Sequence, residues 1–183
     1  FDTTYRVYAL FDSDIDQLVG IGGDFNQPMT AWTSTSFYQD LAFGGDTEHN
    51  AAFDPVIAGL HYDTYWTVGS SDSGTDGPTG AAWNSGPTWT ANTFLGDDGG
   101  WFRTPTDPVT FGVFDGTYYR VLVGNFTLAN TRGDLPEFSM ETKLAWLDGG
   151  TTNNEYDGWT NVVPTPGALA LLGLAGLVGR RRR

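Results

Sequence analysis

The chain has 183 residues, 22 of them acidic and nine basic, for a net charge of −13, and it contains no cysteine. Disulfides and thiolate metal sites are therefore excluded, and so acidic a chain repels nucleic-acid phosphates, which excludes DNA or RNA as a partner. At this length one domain can bury its own core without covalent staples.

Charge divides the molecule in two. All 22 acids precede Val163, with only Arg6, Arg103, Arg120, Arg132 and Lys143 against them, whereas the last four residues are all arginine. Eighteen of the acids are aspartates, which favour turns and loop sites over helix faces.

In chain order, short apolar or alternating runs are broken by Gly, Asp, Asn and Pro clusters, and no stretch before residue 163 carries a 3.6-residue stripe. Tyr5–Phe11 alternates and stops at Asp12-Ser-Asp14. Leu18–Ile21 ends at Gly22-Gly-Asp24, and Ser36–Phe43 ends at Gly44-Gly-Asp46. Tyr62–Val68 runs into the loop-like segment 69–80. Val109–Phe114 and Tyr118–Leu128 flank Asp115-Gly116, a hairpin dipeptide. Phe138–Leu147 closes the series at Asp148-Gly-Gly150. This pattern predicts a mainly β fold, an antiparallel β-sandwich of the immunoglobulin or jelly-roll kind over residues 1–147. Residues 148–166 read as a polar, irregular stalk.

Chemistry-bearing motifs are sparse. His49 and His61 are the only histidines, and no Gly-x-Ser-x-Gly, His-Glu-x-x-His or phosphate-cradling glycine loop occurs. No catalytic residue is assigned and an enzyme is not expected. Asp12, Asp14 and Asp16 have the alternate spacing with which calcium loops begin, but Gln17 stands where such a loop needs Gly, so a simple turn competes with calcium there. Asp72, Asp76, Asp97 and Asp98 are further loop candidates. His61 and Asp63 would share one face if their segment were a strand, a two-ligand arrangement weighed against an ordinary strand-edge histidine. Among seven tryptophans, Trp83, Trp89 and Trp101 lie in Gly/Pro/Asn-rich sequence, where exposed rings would stack on sugars. Core packing is the competing role for all three. Asn125-Phe-Thr127 has the form of an N-glycosylation acceptor.

The last 21 residues carry the most specific signal. Val163, Pro164, Thr165 and Pro166 form an extended entry, Gly167–Gly179 is an uncharged run of 13 residues, and Arg180, Arg181, Arg182 and Arg183 follow directly. As a helix the run would span about 20 Å, short of the roughly 20 apolar residues that a stable membrane span needs. It suits a transient insertion held by a cationic stop. This order of parts resembles the PEP-CTERM tail of exported bacterial proteins, with Thr165 where that family has Glu. The resemblance implies export to the cell surface and a sorting enzyme, exosortase, as partner. A chain that opens at Phe1 then reads as one whose signal peptide has been removed. The body is similar to uncharacterised exported proteins bearing the same tail, along Tyr62-Asp63-Thr-Tyr65, the Gly100-Trp-Phe-Arg-Thr-Pro105 segment and the Val121–Thr127 strand.

Together these features predict an extracellular or surface structural protein that assembles with itself into a filament, coat or matrix. The alternative is a glycan-binding module or adhesin of the surface polysaccharide, and calcium is the one ion the acidic loops suggest.

Overall fold

The computed structural model describes residues 3–40, 42–77, 79–129 and 136–149, and of 152–163 the backbone. Among the described residues the fold is mainly β, with two antiparallel sheets and almost no helix, consistent with a sandwich. Its strands are β1 (Thr3–Phe11), β2 (Gln17–Gly23), β3 (Met29–Thr33), β4 (Tyr65–Trp66), β5 (Gly80–Trp83), β6 (Thr88–Trp89), β7 (Thr93–Gly96), β8 (Gly99–Phe102), β9 (Val113–Phe114), β10 (Tyr119–Leu128), β11 (Phe138–Asp148) and β12 (Thr152–Val163). One sheet runs β1-β10-β4, with β9 also on β10; the other runs β5-β8-β2-β11-β3-β7-β6, with β12 on β11.

The alternation seen in sequence fixes which way β1 faces. Val7 and Ala9 are buried, while Thr4, Arg6 and Leu10 point to water. In the second sheet, β11 pairs with β12 along its whole length on one edge. On the other edge it pairs with β3 through residues 138–141 and with β2 through residues 143–147. The two sheets meet in an aromatic core centred on Trp66, whose ring lies 4.9 Å from Phe126, 5.2 Å from Phe94 and 6.1 Å from Trp101. Such pairs add about 0.5–1.5 kcal/mol each beyond the area they bury.

Several expectations change. The Asp115-Gly116 hairpin is present: the Asp115 carboxylate accepts from the Thr117 and Tyr118 amides, and Gly116 takes φ +108°, open to glycine at no steric cost. Ser36–Phe43 is not a strand. Phe37 makes one bridge to Leu128, and the chain then turns because Asp40 accepts from the Ala42 and Phe43 amides. Only Tyr65–Trp66 of the expected Tyr62–Val68 strand is extended in a ladder, since Leu60–Tyr62 is a 3-10 turn. The stretch read as a stalk supplies β12, in which Thr152–Val163 forms a backbone ladder with β11. Pro164–Pro166 and the expected helix over 167–183 lie outside the described residues.

A long excursion, residues 34–80, covers the outer side of β10. It is tied down by Arg103, which follows β8 and continues its ladder by donating from its amide to the Val19 carbonyl. The Arg103 guanidinium, 6 % exposed, donates to Glu48 at 2.5 Å, to Asp107 at 2.9 Å, and to the Asp76 and Gly77 carbonyls. Glu48 also accepts from the Thr79 amide and hydroxyl. Arg103→Ala leaves the Glu48 carboxylate buried without its counter-charge. The variant is expected to lose about 3–5 kcal/mol in urea unfolding, with part recovered when Glu48→Gln is added.

Candidate functional site

The first sheet is narrower than the second, so β1 ends the β1-β10-β4 sheet while part of the inner face of β11 extends past it. The result is an open-sided cleft of about 440 Å³ between them. Its floor and walls are Ala9, Leu10 and Phe11 from β1, with Leu144 and Trp146 from β11. Tyr8 stands at its side, and Asp12 and Asp16 at the end where β1 turns into β2. Leu10 is 56 % exposed although apolar. The Arg120 guanidinium sits 4.9 Å from the Tyr8 ring centre and 3.9 Å from Asp115. Asp16 accepts from the Gly149 amide at 3.0 Å, which joins the β1–β2 turn to the end of β11. Phe11 and Trp146 beside two carboxylates form a mixed apolar and hydrogen-bonding surface, the common composition of small-ligand clefts, while the Tyr8 ring lies with Arg120 on the other face of β1.

A second depression, about 360 Å³, lies over the middle of the other sheet. Its floor is flat because Gly22, Gly100 and Ala82 stand opposite one another on β2, β8 and β5. A Cβ at Gly100 would run into the Ile21 carbonyl, so strand packing itself requires glycine there. Lys143 and Asp24 pair at 2.6 Å at one end, and the Lys143 hydrogen bond, helped by the Gln27 and Asn26 amides, holds the Asp24 carboxyl at about 2. This surface carries little chemistry besides that ion pair.

The residues singled out from sequence separate in space. Asp12 and Asp16 share the cleft, but among the described residues no group of three His, Asp or Glu is placed to hold a metal ion. Asp12, Asp14 and Asp16 form a turn. Asp72 is occupied as the N-cap of the short helix Ser73–Asp76, and it also accepts from the Ala51 amide. Asp76 accepts from Ser70, Asp97 from Ser85 and Asp98 from Asn84. The His61 and Tyr62 rings lie tilted at 3.8 Å in the 3-10 turn, and Asp63 is fully buried, so the strand that would have aligned His61 and Asp63 does not exist.

Trp101 is 2 % exposed and belongs to the core, not to a stacking platform. Trp83 packs edge-on against it at 4.9 Å. Trp89 lies 4.7 Å from Phe94 and donates from its indole to Asp46 at 2.7 Å. Asn125, 1 % exposed, donates to the Asp63 carbonyl inside the protein and cannot accept a glycan. The aromatic residues that line the cleft, Phe11 and Trp146, are partly exposed and carried no distinguishing signal in sequence, since both lie in apolar runs. Of the sorting residues, the Val163 backbone ends β12; Pro164, Thr165, Pro166 and Arg180–Arg183 lie outside the described residues.

Among the described carboxylates Asp63 is the most perturbed. It is 0 % exposed and accepts from the Asp40 amide at 2.7 Å and the Gly45 amide at 3.3 Å. Burial outweighs those amides and pushes its pKa up to about 6. Its position makes it a pin for the excursion and not a reactive group.

The chain matches no known protein family, no curated protein and no solved structure.

Two outcomes test this assignment of roles. Folding raises the Asp63 pKa from 3.8 to about 6. The resulting stabilisation is complete below the unfolded value and is lost as pH rises through about 6, on the order of 3 kcal/mol in all. The melting temperature should fall between pH 4 and pH 7, and Asp63→Asn should flatten that slope. Separately, Trp101→Ala should lower unfolding stability by about 3–5 kcal/mol, while Asp12→Asn should stay within about 0.5 kcal/mol of the parent.

Proposed function

We propose that this is an exported surface protein whose β-sandwich, of the jelly-roll or immunoglobulin-like kind, binds carbohydrate of the surrounding matrix in the cleft between β1 and β11. One observation carries the reading: the partly exposed Phe11 and Trp146 line the cleft together with Asp12 and Asp16. Sugar rings have an apolar C–H face, which suits aromatic surfaces, and a rim of hydroxyl donors, which suits carboxylates. Tyr and Trp serve both needs because each has an apolar body and a polar tip. The sequence of 163–183 supports the export and exosortase-sorting part of the proposal, and the acidic body disfavours anionic polymers as ligands. Neutral or aminated glycans are therefore the expected class.

Self-assembly is the second reading, and it too has a specific observation in its favour. β1 is nine residues long, and among the described residues no strand pairs with its second edge. A long free edge invites another chain.

The test is a polysaccharide array probed with the protein, with and without residues 167–183, followed by titration against the best binder. Trp146→Ala should weaken binding about 10- to 100-fold, equivalent to about 1.4–2.8 kcal/mol, while Trp83→Ala leaves it unchanged. Absence of binding in both forms, or equal loss on Trp83→Ala, refutes the cleft as a glycan site.

A further inference from the structure

The β9–β10 hairpin gathers exposed apolar side chains at one end of the first sheet. It lies beyond the excursion, since β10 is buried only from Val121 onward. Leu10 stands opposite Arg120, and Arg120 opposite Val113, so these three side chains leave the same face of the sheet. Val113 is 69 % exposed, and Leu10 and Tyr118 are exposed with it. Single exposed apolar residues are ordinary, but a group around one guanidinium marks a contact surface. The charges decide what it can contact. Arg120 lies 3.9 Å from Asp115 at the turn, and the Tyr118 and Thr117 amides lower the pKa of the Asp115 carboxyl. An ionised carboxylate at the turn opposes entry into hydrocarbon, which disfavours a bilayer. A protein surface with an apolar floor and both signs of charge suits it better.

The glycine-floored depression on the second sheet has that composition. Its floor is Gly22, Gly100 and Ala82, and the Lys143–Asp24 pair stands at one end. Gly20 is informative there: a Cβ on it would meet the Ala145 Cβ and the Trp101 carbonyl at 3.5 Å, an ordinary contact. Packing would accept a side chain at Gly20, and its absence keeps the depression open. Gly100 and Phe102 flank the buried Trp101 on β8, so the depression faces away from the core. The hairpin of the same molecule lies in the other sheet and cannot reach it. Among the described residues, Arg120–Asp115 and Lys143–Asp24 are the two Lys or Arg ion pairs outside the Arg103 cluster. We propose that the β9–β10 hairpin of one copy docks in the depression of the next, with Val113 and Tyr118 over the glycine floor and the two ion pairs side by side, signs alternating. Neither pair has to break. Hairpin and depression are different surfaces, so the contact repeats into an open filament unless its rotation closes a ring. The proposal rests on the self-assembly reading and needs no strand added to β1.

Sedimentation velocity of the whole chain over a range of concentrations tests the contact. Val113→Ser combined with Tyr118→Ser removes the apolar part of the hairpin, and Ala82→Gln, at an exposed floor position, fills the depression. Each variant should associate about 100-fold more weakly than the parent. All three substitutions are at exposed positions, so melting temperatures should stay within about 2–4 °C of the parent. Raised salt should weaken association of the parent. An equimolar mixture of the two variants should form dimers and stop there, because one supplies an intact depression and the other an intact hairpin. Mixed variants that stay monomeric, or grow beyond dimers, overturn the docking. Undiminished assembly of either variant also overturns it, while self-assembly stands and moves to another surface. A parent that is monomeric up to about 1 mM overturns both. Binding of the parent to phosphatidylcholine vesicles that is lost in the hairpin variant overturns the docking as well, because it assigns the hairpin to a bilayer.

Discussion

The guanidinium of Arg103 holds together parts of the chain far apart in sequence. Its backbone extends the β8 ladder toward β2, while its side chain gathers Glu48, Asp107 and the carbonyls of Asp76 and Gly77. Burying such a pair is favourable only when its remaining hydrogen-bonding groups find partners; Thr79 supplies them for Glu48, while the Arg103 Nε is buried without one. The irregular excursion thereby becomes a fixed cover over β10, while the outer face of β1 stays in water. Under that cover every residue of β10 from Val121 to Leu128 is buried, including Asn125 and Thr127, which hydrogen-bond to the excursion at Asp63 and Thr64. Asp63 finishes the job by holding the 40–45 turn through its carboxylate.

That cover closes only one side of the first sheet. β10 receives β1 on one edge, and on the other β4 together with bonds from Tyr38, Thr67 and Gly69 of the excursion. No comparable element among the described residues reaches the far edge of β1. The second sheet does not stop at the same line, because β11 carries β12 beyond it. A two-sheet fold with one edge short leaves apolar inner-face side chains partly uncovered. Leu144 and Trp146 are partly exposed there, and Phe11 of β1 lines the same cleft. The cleft thus follows from the same asymmetry that buries β10.

How much of this could be read in the sequence depended on whether the deciding contacts were local. The β1 alternation, the long β10 and β11 runs and the Asp115-Gly116 turn are local patterns, and each appears where expected. β5 to β8 are two to four residues long and lie in Gly/Pro/Asn-rich sequence that reads as loop. Their partners lie in other parts of the chain, so only tertiary pairing makes them strands. The Ser36–Phe43 run failed for the opposite reason: its apolar residues fit a strand, but a side-chain-capped turn at Asp40 competes locally and prevails. The tryptophans show the limit for function. Composition flags aromatics near turns, but Trp101 and Trp146 differ only in whether the facing sheet covers them.

The same open edge gives the two functional readings a common physical basis. Among the described residues β1 has one edge without a partner strand, and the same strand forms a wall of the cleft that Phe11, Leu144 and Trp146 line. A second copy paired along that edge would lie beside the cleft, so assembly through β1 and binding in the cleft would compete for one strand.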